Sequence, residues 1–305
     1  MPEVRPILKW AGGKRQLLPR LRDYYPRTFS RYLEPFLGSG AVFLDLHNAG
    51  ALDGREAHLS DINADVIGCY RAVRDDVGGV IAELDRLAAQ HKKDPGRAYY
   101  AVRDGRFNPE RRRVHAAADP VSAYSPALAA MLIFLNRTGF NGLFRVNARG
   151  DYNVPVGRQA SPRICDEGNL HAWSELLGRR GVSLRACPFA VALDAARDRD
   201  FIYLDPPYAP LSVTSRFTSY TAAGFGPDAQ SALQRFVIEV AARGAQVLLS
   251  NSFAPEIRQL YARSVSARGA GLRATTVRAR RAINARASGR GEIREYLITN
   301  LSRRA

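Results

Sequence analysis

The chain is poor in cysteine. Its three residues of this kind, Cys69, Cys165 and Cys187, stand far apart with no Cys-x-x-Cys pair among them. That spacing excludes a disulfide framework and, with no histidine cluster, a zinc site, so no metal is expected. No apolar run is long enough to span a bilayer, and no charged-then-apolar leader opens the chain, so a cytoplasmic protein without membrane contact is expected. Acids are scarce relative to bases: 29 against 45, giving a formal net charge of +16 at pH 7. This excess points to a polyanionic partner, nucleic acid foremost. Nearly all the bases are arginine, and many arginines merely coat a surface. With 305 residues, 46% of them hydrophobic, the chain has enough to bury a full core and is not disordered.

Two nucleotide motifs are missed narrowly. Gly12-Gly13-Lys14 invites a phosphate-loop reading, but Leu8 and Arg15 stand where that loop needs glycine and Ser or Thr. What remains is a loop with an indole (Trp10), a pliant backbone and one ammonium (Lys14), suited to a zwitterionic ligand or to a neighbouring carboxylate. Gly38-Ser39-Gly40 follows the strand-like Tyr32-Leu33-Glu34, but Phe43 replaces the third glycine of the dinucleotide fingerprint, so a nicotinamide cofactor is disfavoured. Ala57 to Ser60 reads as a second strand ending at Asp61, about twenty residues past the glycine turn, where a Rossmann-type sheet places the acid that binds ribose hydroxyls. A helix is expected from Asn63 towards Leu87.

The pattern then changes. Arg103 to Arg113 concentrates positive charge, and Pro126 to Leu135 is an apolar helical run. Leu143–Asn147 and Tyr152–Pro155 alternate like two short strands around Ala148-Arg149-Gly150-Asp151, a hairpin whose Arg137, Asn141, Arg145 and Asn147 are candidates for contact with phosphates and base edges. Further strands are expected at Val182–Leu184, Phe201–Leu204 and Gln246–Leu249, a helix at Gln230–Ala242, and an edge strand at Ile293–Asn300. Between them lies the basic tail from Arg278 to Arg290. Strands alternating with helices imply an α/β fold with a mostly parallel, Rossmann-like sheet and ligands at its carboxyl edge, where Trp10, Gly38, Asp61 and Asp205 would fall.

The stretch Phe201-Ile202-Tyr203-Leu204-Asp205-Pro206-Pro207-Tyr208 carries the chemistry. Four strand formers run into an acid and two prolines that no central strand accommodates. The chain therefore leaves the sheet as a stiff corner that is rich in hydrogen-bond acceptors and poor in donors. Asp205 and the Pro206 carbonyl suit the exocyclic amine of a planar base, with Tyr208 stacked on it. Such a base must be swung out of its helix to be reached. The tetrapeptide alone is also compatible with an Asx-type turn beside an incidental tyrosine, the less favoured reading.

Several segments taken together resemble the Dam-like family of DNA adenine N6-methyltransferases. They are Lys9-Trp10-Ala11-Gly12-Gly13-Lys14, Glu34-Pro35-Phe36-Leu37-Gly38-Ser39-Gly40, Ser60-Asp61-Ile62-Asn63, Asn136–Gly157, Asp205-Pro206-Pro207-Tyr208 and Glu295-Tyr296-Leu297-Ile298-Thr299-Asn300, in consistent order along almost the whole chain. The resemblance implies a class I methyltransferase fold and S-adenosylmethionine as methyl donor. It assigns Trp10, Lys14, Glu34, Phe36, Gly38, Gly40, Asp61 and Asp205 to the donor pocket, with Asp61 on the ribose, and Asp205 to Tyr208 to catalysis. It divides the chain into a catalytic domain, 1–70 and 165–305, and an inserted, mainly helical target-recognition domain, 71–164, that contains the hairpin. It also implies a monomer acting on double-stranded DNA, paired in some systems with a cognate restriction endonuclease. One position departs: relatives carry an acid before the Asp205 strand, whereas Phe189–Leu193 has none and Asp194 is the only acid at hand. Cytosine N4 is the neighbouring alternative target, towards which Ser in place of Asp205 would tilt. A catalytically silent DNA-binding module on the same fold is the alternative outside enzymes. No cysteine has a Pro-Cys setting, which argues against cytosine C5 methylation.

Overall fold

The computed structural model describes residues 3–10, 12–209, 225–280 and 292–304. Among them a seven-stranded sheet has the order β3-β2-β1-β4-β5-β7-β6. The strands are β1 Arg31–Glu34, β2 Glu56–Asp61, β3 Val182–Ala186, β4 Phe201–Leu204, β5 Gln246–Ser252, β6 Arg273–Arg280 and β7 Glu292–Thr299. The first five pair in parallel, and β7 runs antiparallel to β5 and β6. This is the mixed α/β, mostly parallel fold expected for a Rossmann-like class I methyltransferase.

The four residues of β4 are all apolar and all buried, because helices cover both faces of a parallel strand. Strand alternation sends Phe201 and Tyr203 into one core, with the helices Ala41–Asn48, Ala64–Asp75, Val77–Lys93, Pro126–Thr138 and Glu167–Gly178. Ile202 and Leu204 enter the other core, beneath Phe189–Asp194 and Pro227–Ala242. β2 and β3 lie on one side of β1, while β4 and β5 lie on the other. β1 and β4 are neighbours, with Leu33 level with Ile202. At such a switch point the loops leaving the two strands part and open a crevice. Here it lies between the glycine turn after Glu34 and the corner that begins at Asp205. No helix among the described residues is long and apolar enough to cross a membrane.

Three elements differ from expectation. The helix after Asn63 ends at Asp75, and a second starts at Val77, because the Asp76 carboxylate caps Gly79 N at 2.8 Å. The closing strand is not an edge: β7 lies between β5 and β6, and the residues from Arg273 to Arg280 pair along it throughout. Small residues and arginines there look like a charged run; the continuation from Arg281 to Arg290 lies outside the described residues. The expected hairpin has a single bridge, Val146 to Tyr152. Its turn is closed locally instead, by Asn147 Oδ1 accepting from Arg149 N and Asp151 N.

Candidate active site

The glycine turn bends where φ is +47° at Gly38, a region that disfavours any side chain. A Cβ at Gly38 would also lie 2.7 Å from Trp10 Cδ1, so indole and turn are in direct contact. Glu34 works from beneath: its buried carboxyl group accepts from the Tyr32 hydroxyl at 2.8 Å and from Phe43 N at 3.2 Å. Burial, with Asp205 and Asp61 adding, pushes Glu34 up to about 8. From β2, Asp61 Oδ2 accepts from Gly38 N and Oδ1 from Asn63 N, both at 2.9 Å. Burial raises Asp61 to about 6 against the pull of those N–H groups. Ile62 beside it is 58% exposed, and Asn63 Nδ2 is buried without a hydrogen-bond partner. Phe36 stacks on Phe189 at 5.6 Å between centroids. A bare apolar side chain, an unused donor and an acid beside a glycine turn fit a ribose-bearing ligand.

Across the crevice, Asp205 leaves β4 opposite Ser250 of β5, since Leu204 is level with Leu249. Ser250 Oγ donates to Asp205 Oδ1 at 3.0 Å and is itself bonded to the Tyr203 hydroxyl at 3.1 Å. Lys14 Nζ reaches the same oxygen at 2.7 Å, with its side chain only 6% exposed. The ammonium also donates to Gly12 O at 2.7 Å and lies 4.5 Å from the centroid of the Tyr208 ring. Burial raises Asp205 above the usual carboxylate range, while Lys14 and Ser250 oppose it. The Pro207 carbonyl accepts from Gln230 Nε2 at 3.0 Å, and Asn251 Nδ2 holds Gln230 Oε1 at 3.0 Å. The two-proline corner is therefore tied to helix and sheet.

The segment carrying Trp10 and Lys14 is fastened by side chains. Asn136 pairs with both backbone groups of Lys9, accepting from its N at 2.7 Å and donating to its O at 2.9 Å. Of the four residues offered for DNA contact, Arg137 is turned inward, its guanidinium donating to Ile7 O and Pro6 O at 3.0 Å each. Asn147 closes its own turn. Asn141 and Arg145 are exposed, with Arg145 Nε on Asn153 Oδ1 at 2.7 Å. Trp10 stacks on Phe144 at 5.6 Å, joining donor-side loop and hairpin. The hairpin turn is moored from below by Arg111, which donates to Gly150 O and pairs with the buried Asp65 at 2.8 Å.

Residues 10–277 match the sequence profile of D12 class N6 adenine-specific DNA methyltransferases. The chain belongs to this family. It is 35% identical to the Type II methyltransferase M1.LlaDCHI of Lactococcus lactis, over 97% of this chain and 95% of that one. It is 39% identical to the Type II methyltransferase M.MjaIII of Methanocaldococcus jannaschii, over 82% and 85%. Identity to the DNA adenine methylase of Escherichia coli K12 is 31%, over 97% and 95%. The enzyme is an adenine-specific DNA methyltransferase, and its family and fold imply S-adenosylmethionine as the methyl donor. No group of His, Cys, Asp or Glu among the described residues is arranged to hold a metal ion.

Asp194, the acid offered before β4, is exposed at the end of its short helix. Sequence reading missed Ser250, Gln230 and the role of Glu295, which accepts from the Tyr208 hydroxyl at 2.6 Å. Ser250 and Glu295 are placed only once β4, β5 and β7 are paired, and Gln230 only once the helix Pro227–Ala242 packs on the sheet.

Proposed function

We propose that the crevice holds S-adenosylmethionine on the Gly38–Asp61 side and a flipped adenine of double-stranded DNA on the Asp205–Tyr208 side. Asp61 takes the ribose hydroxyls, Trp10 and Phe36 wall the donor, and Gly38 and Gly40 let the turn approach it. Asp205 and the Pro206 carbonyl accept from the N6 amine, while Tyr208 stacks on the ring. Lys14 stands between Asp205 and Tyr208 in the place of that amine, and the amine displaces it. The observation that carries the reading is that Lys14 Nζ lies on Asp205 Oδ1 at 2.7 Å and over the Tyr208 ring at 4.5 Å from its centroid, so a single donor group meets the acid and the ring together.

The donor supplies a methyl group already activated on a sulfonium, so the protein has to align more than to activate. Asp205 and the Pro206 carbonyl hold the amine with its lone pair towards the methyl, and Asp205 takes the proton that N6 loses.

Residues 71–164 act as the target-recognition domain in this reading, with the exposed Asn141 and Arg145 against base edges and Arg137 and Asn147 keeping loop and strap in shape. The catalytic domain is 1–70 and 165–305. The enzyme works as a monomer in the cytoplasm, and the Type II names of its relatives support pairing with a restriction endonuclease of the same specificity.

A duplex with 2-aminopurine in place of the target adenine tests the flip. Its fluorescence should rise on binding as the base leaves the helical stack, and rise further with Tyr208→Ala, which removes the ring beneath it. No change on binding by either protein would sink the proposal.

A further inference from the structure

Tyr208 makes a hydrogen bond that stacking does not require. Its hydroxyl donates to Glu295 Oε2 at 2.6 Å. Burial, with Asp205 and Glu295 close by, keeps that hydroxyl protonated well above the usual phenol range. Glu295 is itself buried, on β7, level with Ser252 of β5 and Val277 of β6. Pairing on both sides fixes its place, so the acceptor is set by the sheet. Over the face of the same ring stands the Lys14 ammonium. A phenol sharing its proton with a carboxylate has an electron-rich ring, and the face of such a ring attracts positive charge.

We propose that Glu295 is a positioning residue for methyl transfer: through the Tyr208 hydroxyl it fixes the ring and enriches the face that meets the positive charge arriving with the methyl group. The proposal rests on the reading of Tyr208 as the ring under the target adenine. In the transfer, the N6 lone pair forms the new N–C bond while the C–S bond breaks and its electron pair stays on sulfur as a neutral thioether. The positive charge passes to N6 until one of its protons leaves to Asp205. Adenine binds neutral, so the ring meets charge at N6 only from the transition state onward. Such an interaction raises kcat and leaves KM alone.

Glu295→Gln keeps an acceptor oxygen and removes the charge, and Tyr208→Phe keeps the ring and removes the donor. Each should lower kcat about tenfold with KM for DNA within about twofold, and the double variant should lose no more than either one. Wild-type turnover on the same DNA, measured alongside, separates this claim from the reading of the site beneath it. A Glu295→Gln enzyme with undiminished kcat overturns the proposal, as do losses that multiply in the double variant or a rise in KM that Tyr208→Phe does not share. If glutamine unfolds the strand, Tyr208→Phe alone decides: kcat must fall at constant KM, and an unchanged kcat overturns the proposal.

Discussion

Lys14 is a lysine with almost no contact with water, its ammonium held between the Gly12 carbonyl, Asp205 and the face of Tyr208. A buried charge persists only when paired, and Lys14 is paired with Asp205. Burial raises Asp205 and Lys14 is the largest opposing influence. In Lys14→Met that opposition is gone and Asp205 holds its proton to higher pH. Protonated Asp205 cannot take the proton that N6 loses, and activity is lost as pH falls through its pKa. The acid limb of kcat/KM for DNA, measured at saturating donor, should therefore move to higher pH in Lys14→Met. An unmoved limb would detach Lys14 from Asp205. The residues that sequence reading found here, Gly38, Asp61, Asp205 and Tyr208, are those whose backbone demands show in the chain itself: a turn needing positive φ, a strand ending in an acid, two prolines stopping a strand. Ser250, Gln230 and Glu295 carry no such local mark, because each contributes only through a partner far off in sequence.

At the scale of elements, the hairpin shows where reading by alternation falls short. Leu143–Asn147 and Tyr152–Pro155 alternate as strands do, yet one bridge forms, and the segment is held by its neighbours as well as by its own turn. Arg111 grips the turn and is paired with Asp65, which is wholly buried and also meets His115 Nε2 at 3.2 Å. Two links lead from there back to Asp61: Asp65 N donates to Asn63 Oδ1 at 3.0 Å and Asn63 N to Asp61 Oδ1 at 2.9 Å. Asp65→Ala strands a buried guanidinium and should cost about 3 kcal/mol of stability, since breaking a buried pair leaves an uncompensated charge. Urea unfolding measures that cost, and KM for DNA should rise with it as the turn loosens. A variant as stable as the parent would show the mooring to be idle. Arginine composition could not separate these roles: Arg111 and Arg137 are structural in their contacts, whereas Arg145 is exposed.

For the whole molecule, the sheet order and its switch point bring together segments spread from Trp10 to Glu295, and the legible part was the common edge of Trp10, Gly38, Asp61 and Asp205. The parallel strands were foreseeable because a strand buried on both faces has no polar alternation. β6 was not, since its arginines, threonines and small residues mask a strand whose apolar side chains Ala274 and Val277 are divided between the two cores. The charge of +16 fits a DNA substrate but does not distinguish adenine from cytosine; the match to the N6 adenine-specific family makes that distinction. The direct test is transfer of labelled methyl from S-adenosylmethionine to duplex DNA, followed by digestion to nucleosides. Wild-type enzyme should place the label in N6-methyladenine alone, and Asp205→Ala should place none while still retaining the duplex. Label in N4-methylcytosine, or continued turnover by Asp205→Ala, would contradict the account.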